Sequence, residues 1–187
     1  HPDNPSYSLD YEALVKEVED KNSMLRFISE YDALTDCLNR RGFIERAFNL
    51  KNENTGLPCV AVFADLDHLK EINDRFGHAE GDFAIKSVAG FIRDAVGKDQ
   101  ILGRLGGDEF VALVVLKDGE SADGICDRIR QISKDFNKTS EKPFYIECSL
   151  GYNAFVCSEA VDMQEVLDAA DRELYKSKKD RRKSAVR

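Results

Sequence analysis

Cys59-Val60-Ala61-Val62-Phe63-Ala64 runs without a polar residue and then stops at Asp65-Leu66-Asp67. An unbroken apolar run of this kind suits a central strand covered on both faces, and carboxylates directly after it belong at the rim of a sheet. Working outward, the stretches 58–64, 101–105, 110–116 and 145–155 read as strands, and 40–50, 78–96, 122–137 and 163–179 as helices. From residue 58 the order is βαββαβ and then a helix, the split βαβ arrangement of an α+β, ferredoxin-like core with extra helices. In that arrangement the first and third strands lie side by side at the centre and run antiparallel. Asp65 then falls beside the turn Gly106-Gly107-Asp108-Glu109, so two acidic segments far apart in sequence are predicted to share one sheet edge.

A chain of 187 residues holds one domain plus an appendage, and 42% hydrophobic with 33% charged residues reads as soluble and globular. The net charge of −8 argues against duplex nucleic acid as a partner, so any phosphate contact must come from local basic groups or metal. Basic residues gather at the end, where Lys176, Lys178, Lys179, Arg181, Arg182, Lys183 and Arg187 face only Asp180. The 5 cysteines form no CxxC pair and the 3 histidines are widely spaced, which suits neither a disulfide framework nor a zinc site and makes the cytoplasm the expected compartment. The longest apolar run, 110–116, falls well short of the roughly 20 residues of a membrane helix, and no membrane contact is expected. The opening His1-Pro2 reads as a piece of a longer protein, with an N-terminal sensor or regulatory domain expected outside it.

Within residues 1–31, Tyr7, Tyr11, Leu14, Val18, Lys21, Leu25 and Ile28 recur in alternating steps of four and three. This is the seam of a two-stranded coiled coil with one polar position, and it predicts a signalling helix that pairs subunits. The alternative is an amphipathic helix lying on its own domain.

Mg²⁺ prefers oxygen ligands and takes one or two carboxylates together with phosphate oxygens and water, a role open to Asp65 and Asp108. Gly106 and Gly107 are compatible with an ordinary hairpin turn, and equally with a bare backbone that a phosphate can approach.

Gly106-Gly107-Asp108-Glu109-Phe110 resembles the signature for which the GGDEF domains, the diguanylate cyclases, are named. Three further blocks are similar to that family in the right order. They are Asp32-Ala33-Leu34-Thr35 leading to Asn39-Arg40-Arg41; Asp65-Leu66-Asp67 through Lys70, Asn73-Asp74, Gly77-His78 and Gly81-Asp82; and Ala170-Asp171 through Leu174-Tyr175, Lys178 and Arg182. The resemblance implies a catalytic domain over 32–183, a tail at 184–187 and a core of the nucleotidyl cyclase and polymerase palm type. It implies condensation of two GTP into cyclic di-GMP and two pyrophosphate by a homodimer, because each subunit presents one nucleotide.

By the same resemblance Asp65, Asp108 and the carbonyl of Leu66 hold two Mg²⁺ (or Mn²⁺) ions per active site. Asp108 and Lys70 are the catalytic candidates, Asp108 to accept the proton of the attacking 3′-hydroxyl and Lys70 to stabilise charge on the triphosphate. Asn73, His78, Asp82, Gly106 and Gly107 contact the nucleotide, and Lys178 and Arg182, four apart on one helix face, reach its phosphates. Guanine offers N1–H and an exocyclic amine side by side, which the Asp82 carboxylate accepts as a pair, whereas adenine N1 presents a lone pair. Without the resemblance, Lys70 reads as a solvent-exposed helix lysine and Asp82 as an acid complementing a helix start.

Several positions depart from the family pattern. Asp36 stands where glycine is usual and His68 where an aromatic is commoner, and the window of an Arg-x-x-Asp product-inhibition site reads Gly97-Lys98-Asp99-Gln100. Weak or absent product inhibition through that surface is the expectation. Two rivals remain, a catalytically silent GTP-binding regulatory module and a cyclase making an adenine-containing product.

Overall fold

The computed structural model describes residues 5–178 and 183–187, with side chains from Asp10 onward. Its elements are α1 (Pro5–Glu30), α2 (Arg40–Glu53), β1 (Pro58–Leu66), α3 (Leu69–Phe76), α4 (His78–Val96), β2 (Ile101–Gly106), β3 (Glu109–Val115), α5 (Ala122–Thr139), β4 (Cys148–Val156) and α6 (Met163–Ser177). The four strands are ordered β2-β3-β1-β4, and every neighbouring pair is antiparallel. β1 and β3 therefore lie at the centre, as the βαββαβ order requires.

Both faces of the sheet are covered, which is why β1 and β3 carry almost no polar side chains. Alternate residues of the central strands, Val60, Val62 and Ala64 with Phe110, Ala112 and Val114, pack under Ile72 of α3, Val88 and Ile92 of α4, and Ile125 and Ile129 of α5. The intervening residues, Cys59, Ala61 and Phe63 with Val111 and Leu113, pack against Phe43 and Ala47 of α2 and Ala170 and Leu174 of α6. Where α6 crosses β4 the backbones nearly touch: a Cβ on Gly151 would stand 1.9 Å from the Leu174 nitrogen.

α1 joins this body at its C-terminal end. Asn39 caps α2 by accepting from the Gly42 N–H at 2.9 Å and donates its amide to the Ser29 carbonyl at 2.9 Å, while its own N–H bonds Glu30 O at 2.7 Å. The apolar seam of α1 does not lie on the domain: Tyr11, Leu14, Val18, Leu25 and Ile28 are all exposed. Among the described residues no helix is long and apolar enough to cross a membrane.

Three expectations need correction. Between β1 and β2 stand two helices, because Gly77 at φ 92 breaks the path between α3 and α4. α3 has 8 residues and a single buried one, Ile72, too short to show a period. β4 begins at Cys148, not at 145, because α5 side chains take the backbone of the preceding residues. The Ile146 carbonyl accepts from Ser133 Oγ at 2.6 Å and Asn137 Nδ2 at 2.9 Å, and the Ile146 N–H bonds Asn137 Oδ1 at 2.9 Å. The third concerns residues 184–187. Ala185 is buried, its carbonyl accepts from the Tyr145 N–H at 2.7 Å, and Val186 bridges to Phe144, so this stretch is part of the packed body.

Candidate active site

The register of β1 against β3 pairs Asp65 with Glu109, and the Leu66 N–H bonds the Asp108 carbonyl at 3.0 Å. The end of one central strand and the start of the other thus bring Asp65 and Asp108 together. Their carboxyl groups are within hydrogen-bonding reach of each other. Burial, followed by the contact with Asp65 and its charge, pushes Asp108 up to about 6. Asp65 is only 4% exposed, and the ammonium of Lys178, the C-cap of α6, pairs with its Oδ2. Asp67, also buried, accepts from Ser149 Oγ at 2.8 Å.

This donor set fits a hard divalent cation. Two carboxylates are held together against their own repulsion, and a dication would offset that repulsion. Among the described residues no group of three His, Cys, Asp or Glu side chains is placed to hold a metal. Remaining ligands would come from a backbone carbonyl such as that of Leu66, from phosphate and from water. Neither Gly106 nor Gly107 has a positive φ, and a Cβ on Gly107 would meet nothing within 4 Å. Neither conformation nor crowding requires glycine at Gly107, so what it supplies there is open backbone at the rim of the carboxylate pair.

An arginine that the sequence reading passed over holds this turn. Arg104 of β2 donates from Nε at 3.1 Å and from a terminal nitrogen at 2.8 Å to the carbonyl of Gly107, the residue before Asp108. Its other terminal nitrogen reaches both oxygens of Asp32 at 3.1 Å. Asp32 in turn accepts from the Thr35 N–H at 2.9 Å and hydroxyl at 2.7 Å. Burial would raise the Asp32 pKa, but the Thr35 and Arg104 hydrogen bonds outweigh it and hold the carboxyl below its usual value. The available signal was a lone charge inside the apolar stretch of β2.

Asn73, His78 and Asp82 stand on α3 and the first turns of α4, on the side of the sheet away from α2 and α6. His78 and Asp82 are exposed and Asn73 is half-buried. Asn73 lies over Gly81: a Cβ there would come within 1.8 Å of Asn73 Oδ1, so glycine makes room for the amide. Lys70 extends into solvent from the first turn of α3 and pairs with Asp74 Oδ2 at 2.7 Å. Arg182 lies outside the described residues. Glu109 shares the α2 and α6 side of the sheet and lines a cleft with Arg40, Phe63 and Asp171.

In the product-inhibition window, Gly97 closes α4 at φ 95, a conformation that disfavours any side chain there. Gln100 accepts from the Val115 N–H at 2.9 Å and so serves the end of β3.

The family model "Diguanylate cyclase, GGDEF domain" matches residues 29–184. Diguanylate cyclase DgcP of Escherichia coli K12 is 35% identical over 178 residues, which cover 92% of this chain and 51% of that protein. The chain therefore spans about half the length of that curated relative. The GGDEF domain of TpbB from Pseudomonas aeruginosa superposes with a TM-score of 0.64 at 31% identity, covering 81% of this chain and 90% of that one. The coiled coil and GGDEF domain of DgcB from Caulobacter crescentus, solved with c-di-GMP, superposes with a TM-score of 0.81 over 97% of both chains; at 24% identity it is evidence of fold. The enzyme class read from the sequence is the class that the family model and DgcP carry by name, and the chain belongs to the diguanylate cyclase, GGDEF domain family.

Proposed function

We propose that this chain condenses two GTP molecules into cyclic di-GMP with release of two pyrophosphates, using Mg²⁺ or Mn²⁺ and acting as a homodimer. The observation that carries the reading is the contact of the Asp65 and Asp108 carboxyl groups at the open end of the two central strands. Asp65, Asp108 and the Leu66 carbonyl would hold the metal, which when bound lowers the pKa of the attacking 3′-hydroxyl and neutralises charge on the phosphates. We assign Asp108 the further role of accepting the hydroxyl proton.

Lys178, already at the carboxylate pair, is suited to a triphosphate, and we assign Arg182 the same role from its position in the sequence. Asn73 and Asp82 read the guanine edge, His78 contacts the nucleotide, and the bare backbone of Gly106 and Gly107 admits the phosphates. Lys70 is assigned to the triphosphate by family resemblance, and that role requires its pairing with Asp74 to break. One chain presents one nucleotide, so turnover needs a second copy. The exposed seam Tyr11, Leu14, Val18, Leu25 and Ile28 is the surface we assign to that pairing.

Mass spectrometry of products from GTP, ATP and their mixture with Mg²⁺ or Mn²⁺, read over a range of protein concentrations, tests the proposal. Cyclic di-GMP from GTP alone, with a rate per chain that rises with concentration, is the expected result. GTP binding without any product at concentrations where the chain is dimeric would favour the silent regulatory module.

A further inference from the structure

We propose that Cys59 and Cys157 are a redox pair that closes to a disulfide and staples the start of β1 to the end of β4. Their sulfurs lie 2.9 Å apart, on chain positions 98 residues from one another. A buried free cysteine is ordinarily a small apolar side chain, and both of these belong to the packed layer between the sheet and helices α2 and α6. Contact between the two sulfurs goes beyond that role. A disulfide bond measures about 2.03 to 2.05 Å, so the sulfurs need to approach by only about 0.9 Å.

The surroundings decide how the bond forms. Cys59 stands opposite Phe155 in the register, and Cys157 follows β4 directly, where its N–H bonds Leu57 O at 3.0 Å and its carbonyl accepts from the Gly56 N–H at 2.7 Å. Both thiols are buried, and burial together with the neighbouring thiol pushes Cys59 up to about 12, which leaves almost no thiolate in the closed fold. The cover is thin, because Leu57, Pro58 and Val156 are exposed, and strand ends open locally at less cost than the core. In the opened end one thiolate attacks a low-molecular-weight disulfide, forming a mixed disulfide and releasing one small thiolate. The second protein thiolate then attacks the sulfur of its neighbour and releases the other. The two cysteines lose two protons and two electrons in all, and the small disulfide is reduced to two thiols. In a reducing compartment the pair therefore rests as the dithiol. Cys59 and Asp65 are about 20 Å apart along β1, at roughly 3.3 Å per residue, so the staple closes at the end of the strand opposite the candidate catalytic edge.

Thiol trapping of the full chain tests this. The folded protein is equilibrated with mixtures of oxidised and reduced glutathione, from both the oxidised and the reduced side, then quenched in acid, denatured, alkylated with a maleimide and mapped by mass spectrometry. The expected product is a monomer about 2 Da lighter, in which the bonded pair takes no maleimide and a reducible link joins the peptides that carry Cys59 and Cys157. The same titration in urea reads the pair without the fold. Half-oxidation there should need a ratio of oxidised glutathione to the square of reduced glutathione about 10²-fold higher, because a native disulfide of typical strength favours the folded form to that extent.

Full alkylation at every mixture, glutathione adducts in place of the internal link, or a link between other cysteines overturns the inference, and so does equal half-oxidation with and without urea. Cys59→Ser and Cys157→Ser should each abolish the link, and an internal link that persists in either variant overturns the assignment. Should either variant fail to fold, the titration of the unaltered chain decides alone. No nucleotide enters the assay, so its outcome is independent of the GTP reading.

Discussion

Asp65 is 4% exposed and touches both Asp108 and Lys178, whereas Asp82, at the other end of the candidate site, stands exposed near the start of α4. The carboxylate end is built by sheet register and clamped by Arg104, whose partners Asp32 and Gly107 leave the turn little freedom. The end proposed to read guanine is a polar surface on two helices, where the amide of Asn73 packs on Gly81 and Asp82 stands free of such packing. On the proposed function, preorganisation at the first end would serve the chemical step, which depends on placing charge where charge develops. On the same proposal, the exposed Asp82 at the second end would serve discrimination, which is a difference between two binding energies.

That contrast can be broken at either end. The largest effect should come from Asp108→Ala, which removes a carboxylate from the metal pair. Turnover of GTP should fall at least about 10³-fold while a GTP analogue still binds, because metal stabilisation is worth several kcal/mol in the transition state. Retained turnover would refute the assignment. Next is Asp82→Ala, for which the ratio of kcat/KM for GTP over ATP should shrink by about 10²-fold, with the rate at saturating GTP little changed. A fall in kcat with an unchanged ratio would erase the distinction between the two ends.

Arg104→Ala should sharpen the contrast, because it leaves both carboxylates of the pair in place while releasing the Gly107 carbonyl from its tie to Asp32. A drop of about 10-fold in kcat with KM for GTP nearly constant is expected, since a misplacement of about 1 Å can cost up to 10²-fold. The smallest effect concerns the same clamp and pH. The folded-state pKa of Asp32 lies below its ordinary value, so its ionised form is favoured by folding. Its stabilisation is present above the unfolded value of about 3.9 and is lost as pH falls through the lower folded one. Unfolding in urea should therefore find Asp32→Asn less stable by about 1 to 2 kcal/mol at pH 7, with the gap closing below about pH 4. A gap that persists at pH 2.5 would show that the ion pair is not its source.

Much of this was legible in the residues because it depends on local pattern. The unbroken run from Cys59 to Ala64 marks a central strand, and the βαββαβ order places β1 beside β3 and hence Asp65 beside the turn that holds Asp108. α4 was read to its boundaries because 19 residues repeat the helical period several times, while the 8 residues of α3 complete barely two turns around one buried side chain. Backbone at 145–147 looked like strand by composition. Asn137 and Ser133, on a helix before it, decided otherwise by bonding Ile146 first.

Polarity and period thus marked the central strands from sequence alone, and the βαββαβ order implied how they pair and which carboxylates meet. Tertiary structure decided who holds those carboxylates in place. Arg104 finds Asp32 across 72 residues, and Lys178 at the far end of the chain pairs with Asp65. A charged side chain finds such a partner only once packing has brought distant surfaces within about 3 Å of each other, and no local pattern encodes that distance.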